Sequence, residues 1–322
     1  MRGALATALA VALLAVLTLG GCASWTGPQT AALRAQPPPG LAPQVELRTV
    51  PFIAQTPLHC GPASLAMVLQ HIGRDVGADA LAEAVFLPAR GGTLQAEMLA
   101  GARRHDALGL RLAPSLETLL REVQAGRPVV VLQNLGLSLA PRWHYAVVVG
   151  FDVAREEIVL RSGLVERETM SWRTFEHTWA RAGHWAMVAL PPGQLAAGGD
   201  ERSTLEAALA FERVAPATSA VRVYQSVLAR WPDNLVAAIG LGNSRAAAGD
   251  RAGAISAFAA AAARHDSAVA WNNLAMLRWQ QGDRAEARVA LARALRRVDQ
   301  AEPAFADAVQ ATRRTIEAAP TR

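Results

Sequence analysis

The sequence predicts an α+β domain over residues 47–192 followed by an all-α repeat domain over residues 203–322. Three observations carry this. Between Leu47 and Leu190, helix-period segments come first and short β-branched runs come late, the order of an α+β domain with an antiparallel sheet. After Pro191-Pro192-Gly193, strand patterns stop and only helical periodicity continues. In that second half, groups of residues recur at a fixed offset, the mark of stacked units that each bury one face against a neighbour.

The chain begins with Arg2, an apolar run from Ala4 to Leu19, and Leu19-Gly20-Gly21-Cys22. The run is short for a bilayer span and ends in small residues, so residues 1–21 read as an export signal. Leu-x-Gly-Cys resembles the lipobox of bacterial lipoproteins. That resemblance implies cleavage before Cys22, acylation of its thiol and attachment to a membrane. Ala23 and Ser24 follow with no Asp, so the outer membrane facing the periplasm is the expected place. Residues 22–46, rich in Pro, Gly and Ala, are expected to be a tether stiffened at Pro37-Pro38-Pro39.

A short strand is expected at Val50–Ala54, then helices at Pro62–Ile72, Ala78–Phe86, Leu94–Arg104 and Ser115–Gln124. Strands are expected at Pro128–Gln133, His144–Phe151, Glu157–Arg161 and Trp185–Leu190, with a helix at Trp172–Arg181 before the last. Residues 193–202 read as a linker. Beyond it, Leu241-Gly242 and Gly249-Asp250-Arg251-Ala252 return as Leu274-Ala275 and Gly282-Asp283-Arg284-Ala285, an offset of 33. Ala254 and Phe258 match Ala287 and Leu291, and Ala220, Tyr224 and Pro232 stand one step earlier. The pattern is similar to the tetratricopeptide repeat, with three units and a capping helix at Pro303–Ala319. It implies a protein partner.

Composition narrows the function classes. The 322 residues are 52% apolar and 18% charged, a globular balance. The pI of about 10.4 reflects basic side chains that are all Arg, with a net charge of only +5. These arginines are scattered among acids, without the basic stripe and interleaved aromatics of a nucleic-acid surface. No cofactor or metal site is read from the sequence. Of two cysteines, acylation of Cys22 would leave Cys60 without a disulfide partner.

Cys60 precedes Gly61-Pro62-Ala63-Ser64-Leu65, and Pro62 suits a first helical turn. The sulfur would then lie near unpaired N–H groups, which favour thiolate. Gln55, on the incoming loop, could donate to an oxyanion beside the Cys60 N–H. A proton shuttle is also needed. His59 adjoins the cysteine but should point away, and His71, His105, His177, His184 and His265 stand in helices or turns. His144 alone opens an apolar strand, Trp143-His144-Tyr145-Ala146-Val147-Val148-Val149-Gly150-Phe151. Trp143 and Tyr145 read as packing residues.

Gln55…Cys60-Gly61-Pro62-Ala63-Ser64-Leu65, with His144 through Asp152, resembles the bacteriocin-processing family of papain-fold cysteine peptidases over nearly all of residues 47–192. The resemblance implies an oxyanion-hole role for Gln55, a nucleophile at Cys60, a general acid/base at His144 and peptide substrates. Where that family carries Asp-Pro after the His-bearing strand, this chain reads Arg161-Ser162-Gly163. Ser162 is the candidate third member and offers only a neutral hydrogen bond; Asp152 is expected to cap a turn. The family's fusion to a membrane exporter is replaced here by a lipid-anchor signal and repeats. Three readings therefore stand: a cell-envelope cysteine peptidase, a non-catalytic scaffold lipoprotein with a degenerate peptidase domain, and the same chemistry aimed at cell-wall peptides or amide transfer. The segment 134–142 is expected to flank the cleft.

Overall fold

The computed structural model describes residues 26–55 and 58–318. The export signal at residues 1–21 and the candidate acylation site Cys22 lie outside the described residues.

Its centre is an antiparallel sheet that separates two apolar cores. Strand β1 is Gln44–Glu46, β2 Phe86–Leu87, β3 Gly92–Thr93, β4 Leu108–Arg111, β5 Val129–Asn134, β6 Trp143–Asp152, β7 Glu157–Ser162, β8 Val165–Ser171 and β9 Ala186–Leu190. Among the described residues the sheet order is β4-β9-β5-β6-β7-β8, with β1 also pairing β6, while β2 and β3 form a separate hairpin. β5 is buried along its whole length because both faces are covered. Side chains alternate across a strand. Val129 and Val131 accordingly join one core, and Val130 and Leu132 the other.

Helices α2 (Cys60–His71), α3 (Ala78–Val85) and α4 (Gln95–Arg104) contribute Leu65, Met67, Leu69, Leu81 and Met98 to the core on one face. On the other face lie α1 (Pro28–Ala35), α5 (Leu116–Gln124) and α6 (Trp172–Ala180), with Leu33, Leu119, Leu120, Phe175 and Trp179. Most expected elements stand within a residue or two of their observed bounds. The expected strand Val50–Ala54 is irregular instead. It is held by side-chain and turn bonds, Arg161 Nη2 donating to the Val50 carbonyl and the Gln55 N–H to the Gly163 carbonyl at 3.0 Å. Strands β1, β2, β3, β4 and β8 were not anticipated. β8 is largely exposed and polar, VERETMS, so it carries no hydrophobic alternation to read.

The tether expected at residues 22–46 is corrected by the described part of that segment. Gln29 and Thr30 donate backbone N–H groups to the Glu176 carboxylate at 2.9 and 2.7 Å, which caps the start of α1. Arg34 grips Glu156 with two donors, and β1 pairs with the end of β6. Proline and glycine content resembles a linker's, but these long-range bonds hold the segment to the domain. The linker expected at 193–202 is likewise docked: Ala196 is buried, and the Gly198 N–H donates to buried Glu122 at 2.9 Å. Glu122 is also paired with Arg127 at 3.1 Å.

Helices α7 (Glu201–Glu212), α8 (Ala217–Arg230), α9 (Leu235–Ala247), α10 (Arg251–His265), α11 (Ala268–Gln281) and α12 (Arg284–Gln300) follow, closed by α13 (Ala306–Glu317). They stack as successive hairpins. At Gly242 a Cβ would lie 2.5 Å from the Phe258 ring, so only hydrogen lets α9 and α10 approach this closely. Ala207, Phe211, Val223, Tyr224 and Val227 of the first hairpin belong to the same core as Leu116, Val131 and Val188 of the sheet domain. The repeats are thus bolted to the sheet through one continuous apolar cluster.

Candidate active site

The incoming loop, the start of α2 and the paired ends of β6 and β7 meet at one end of the sheet. α2 begins at Cys60 itself, two residues before the expected start. His59 supplies no side-chain cap, so N–H groups of the first turn remain for another acceptor. Backbone N–H groups of Tyr145, Gly61 and Cys60 reach the sulfur. The Tyr145 contact places Cys60 directly against β6, one residue from His144.

Cys60 is partly buried and is a free thiol. Burial pushes its thiol up from the ordinary value, against the downward pull of those three N–H groups. This corrects the expectation of a helix-stabilised thiolate: desolvation of the anion outweighs the donors. His144 is shifted the opposite way. Burial lowers it, the Glu168 carboxylate raises it and Arg142 lowers it. Both shifts favour the neutral forms, a thiol at Cys60 and an uncharged imidazole at His144.

His144 Nε2 lies 3.0 Å from Ser162 Oγ, so the third candidate does meet the imidazole. Gln55 is buried, accepts from the Gly163 N–H through Oε1 at 3.1 Å, and donates from Nε2 to Ser64 Oγ at 3.3 Å. Its amide plane is therefore fixed from both ends, with a second Nε2 hydrogen still to give. Gln55, Cys60 and His144 line one cleft of about 780 Å³, together with Leu58, Leu94, Trp143, Tyr145 and Leu164.

The remaining side chains divide as follows. Tyr145 is a packing residue as expected, edge-on to Trp185 with its hydroxyl donating to the Thr93 carbonyl. Trp143 is not: it is 57% exposed and lines the cleft. Asp152 caps its turn by accepting the Arg155 N–H at 2.9 Å. His59 turns away to Phe86, and His71 and His105 bond to the carbonyls of Gly126 and Gly101. Glu168 escaped sequence reading because it sits in a polar strand, opposite Leu160, with no hydrophobic alternation to mark it. Its charge acts on His144, so Glu168→Gln should lower the imidazole titration midpoint further, as measured by proton–nitrogen NMR of the ring. An unchanged or raised midpoint would refute that influence.

Residues 47–187 match the model of a family described as Peptidase_C39-like. No curated protein matches. Among solved structures, a C39-like peptidase from Bacillus anthracis is 23% identical, covering 46% of this chain and 97% of its own, with a TM-score of 0.40. The peptidase domain of Streptococcus ComA, a bi-functional ABC transporter, is 19% identical over 44% of this chain and 98% of its own, with a TM-score of 0.37. The Sgt2 TPR domain from Aspergillus fumigatus is 21% identical over 38% of this chain and 83% of its own, with a TM-score of 0.30. Residues 47–187 carry a Peptidase_C39-like domain of papain fold, and a tetratricopeptide-like helical region follows it.

Proposed function

We propose that this protein is a lipid-anchored cysteine peptidase of the cell envelope, with Cys60 as nucleophile and His144 as general acid/base. The observation that carries it is a single cleft in which Cys60, His144 and Gln55 face the same space, with Ser162 on the far nitrogen of the imidazole. With Nε2–H donating to Ser162, Nδ1 is the nitrogen left to accept the Cys60 proton. As the proton moves, sulfur bonds to the substrate carbonyl carbon and the π electrons pass to oxygen. The Cys60 N–H and the Gln55 amide are the donors for that oxyanion. Collapse breaks the C–N bond, the imidazolium protonates the leaving amine, and water deprotonated by His144 then cleaves the thioester. The repeats recruit the protein substrate or a partner, and acylated Cys22 holds the chain at a membrane, in our reading the outer one facing the periplasm.

A second reading, a non-catalytic scaffold lipoprotein, is favoured by one observation: a neutral serine stands where an imidazolium would be best served by a carboxylate. Comparing envelope proteins from cells carrying the wild-type and Cys60→Ala chains separates the two. The peptidase reading expects at least one protein to lengthen or accumulate in the variant. Identical lengths and abundances would overturn it.

The neutral resting pair has its own test. Alkylation of Cys60 by iodoacetamide should show no plateau below pH 6 and should rise on the alkaline side of the ordinary thiol value of about 8.5, because the reagent reads thiolate. A rate already level at about pH 5–6 would mean a resting thiolate–imidazolium pair instead.

A further inference from the structure

The apolar residues that the sheet domain exposes are concentrated at one end. Of the large hydrophobic residues exposed before Leu209 among the described residues, Leu58, Leu94, Trp143 and Leu164 line the cleft, and Leu135, Leu137, Leu139 and Val165 stand on the β5–β6 and β7–β8 connections at the same end of the sheet. Leu139 is 100% exposed, Leu164 79% and Leu137 74%. Such concentration marks a contact surface rather than scattered exposure.

This rim is built, not loose. Asn134 Oδ1 accepts the N–H groups of Gly136 and Arg142 at 3.0 and 2.9 Å, the Leu135 N–H donates to the Arg142 carbonyl, and Arg181 donates to the Asn134 carbonyl. The hairpin between β5 and β6 therefore holds its leucines outward. Segments 90–95 and 135–143 contain Arg90 and Arg142 but no carboxylate, while Glu166 stands beside Val165 of segment 163–165. Leucine and tryptophan with arginine, as on the 135–143 hairpin, are the composition of surfaces that sit at the headgroup and acyl boundary of anionic membranes.

The first described residues stand toward the same end. α1 runs from the level of Glu176 toward Arg34, which grips Glu156 in the β6–β7 turn at the opposite end of the sheet. Its first residues are tied to Pro114, beyond the cleft-end terminus of β4, where Gln29 Nε2 donates to the Pro114 carbonyl. Four residues lie between Cys22 and Gly27, which makes five steps of chain. Extended chain spans at most ~3.3–3.6 Å per residue, or about 17 Å. With α1 docked, little slack is left to hold the domain away from an acylated Cys22.

We propose that the cleft rim seats on an anionic phospholipid surface, with Leu137, Leu139 and Leu164 in the headgroup and acyl boundary, so that the cleft opens along the membrane plane. The inference rests on the proposed lipid anchor but not on catalysis. It would direct the site to peptide segments emerging from, or lying on, the bilayer.

The test uses the full chain in a Cys60→Ala background, with a nitroxide at Leu139→Cys, Leu164→Cys or, as control, Val289→Cys on α12. Signal from the parent chain is subtracted. Each protein is mixed with vesicles of phosphatidylethanolamine and phosphatidylglycerol, floated, and read by power saturation. The expected result is a several-fold rise in oxygen accessibility and fall in nickel-chelate accessibility at 139 and 164, with 289 unchanged. Vesicle-bound protein with all three labels in water overturns the orientation while leaving the anchor intact. Protein that does not float overturns the anchor and this inference with it. Shielding at 139 and 164 without vesicles would identify a second copy, and shielding only on adding an apolar peptide would identify substrate; either outcome overturns the membrane assignment.

Discussion

Replacing His144 with Ala is expected to cut the proposed peptide hydrolysis by about 10²–10⁴-fold, the usual range for losing a positioned proton-transfer group. The size follows from the resting state. Burial raises the thiol and lowers the imidazole, so little thiolate is present before His144 takes the proton. An enzyme resting as an ion pair would already hold its anion; under the proposed mechanism this site would make it during attack. In the proposed mechanism the same imidazole also protonates the leaving amine, which affects a second step. Ser162→Ala should cost much less, because the serine orients Nε2 without adding charge. The measurement is kcat/KM on peptides released from the envelope comparison, with Cys60→Ala as the zero. Equal rates for wild type and His144→Ala would remove His144 from the mechanism and leave it a core histidine.

Phe211→Ala is expected to destabilise the fold by about 3–5 kcal/mol, the cost of deleting a fully buried aromatic ring. Phe211 has no exposed surface and lies in the cluster that joins the first helical hairpin to Leu116, Val131 and Val188. Loss of that ring should weaken the sheet domain and the hairpin α7–α8 together. Hydrogen exchange of the β9 segment 186–190 and of 217–230, followed by mass spectrometry through a denaturant series, checks this. Both segments should lose protection at one lowered midpoint. If 217–230 opened while 186–190 kept its wild-type midpoint, the two parts would be independent bodies despite the shared core. The outer hairpins have a separate cluster around Phe258, Leu274 and Leu291, and the effect should fade toward them.

The site was legible where chemistry and backbone geometry coincide in a short stretch. Pro62 marks a helix start, a helix start has unpaired N–H groups, and Cys60 stands there. His144 was legible because a rigid apolar strand follows it, Gln55 because it lies on the loop entering Cys60, and Ser162 only through the family resemblance. Its electrostatics were not. The direction of the thiol shift depends on how much solvent the folded chain removes, and no local pattern encodes that. Trp143 was misread for a related reason: it opens an apolar strand, but the strand end projects past the core, so the ring faces the cleft.

Local periodicity determined the elements that bury a face, and repeating Gly-Asp-Arg-Ala units determined the stacked hairpins. Tertiary structure alone decided that residues 28–46 and 193–202 are docked segments rather than flexible spacers. Their anchors, Glu176, Glu156 and Glu122, are far away in sequence, and proline-rich composition is the same whether or not a distant carboxylate captures the backbone. Contacts of that kind depend on three-dimensional proximity, which short-range sequence statistics do not carry.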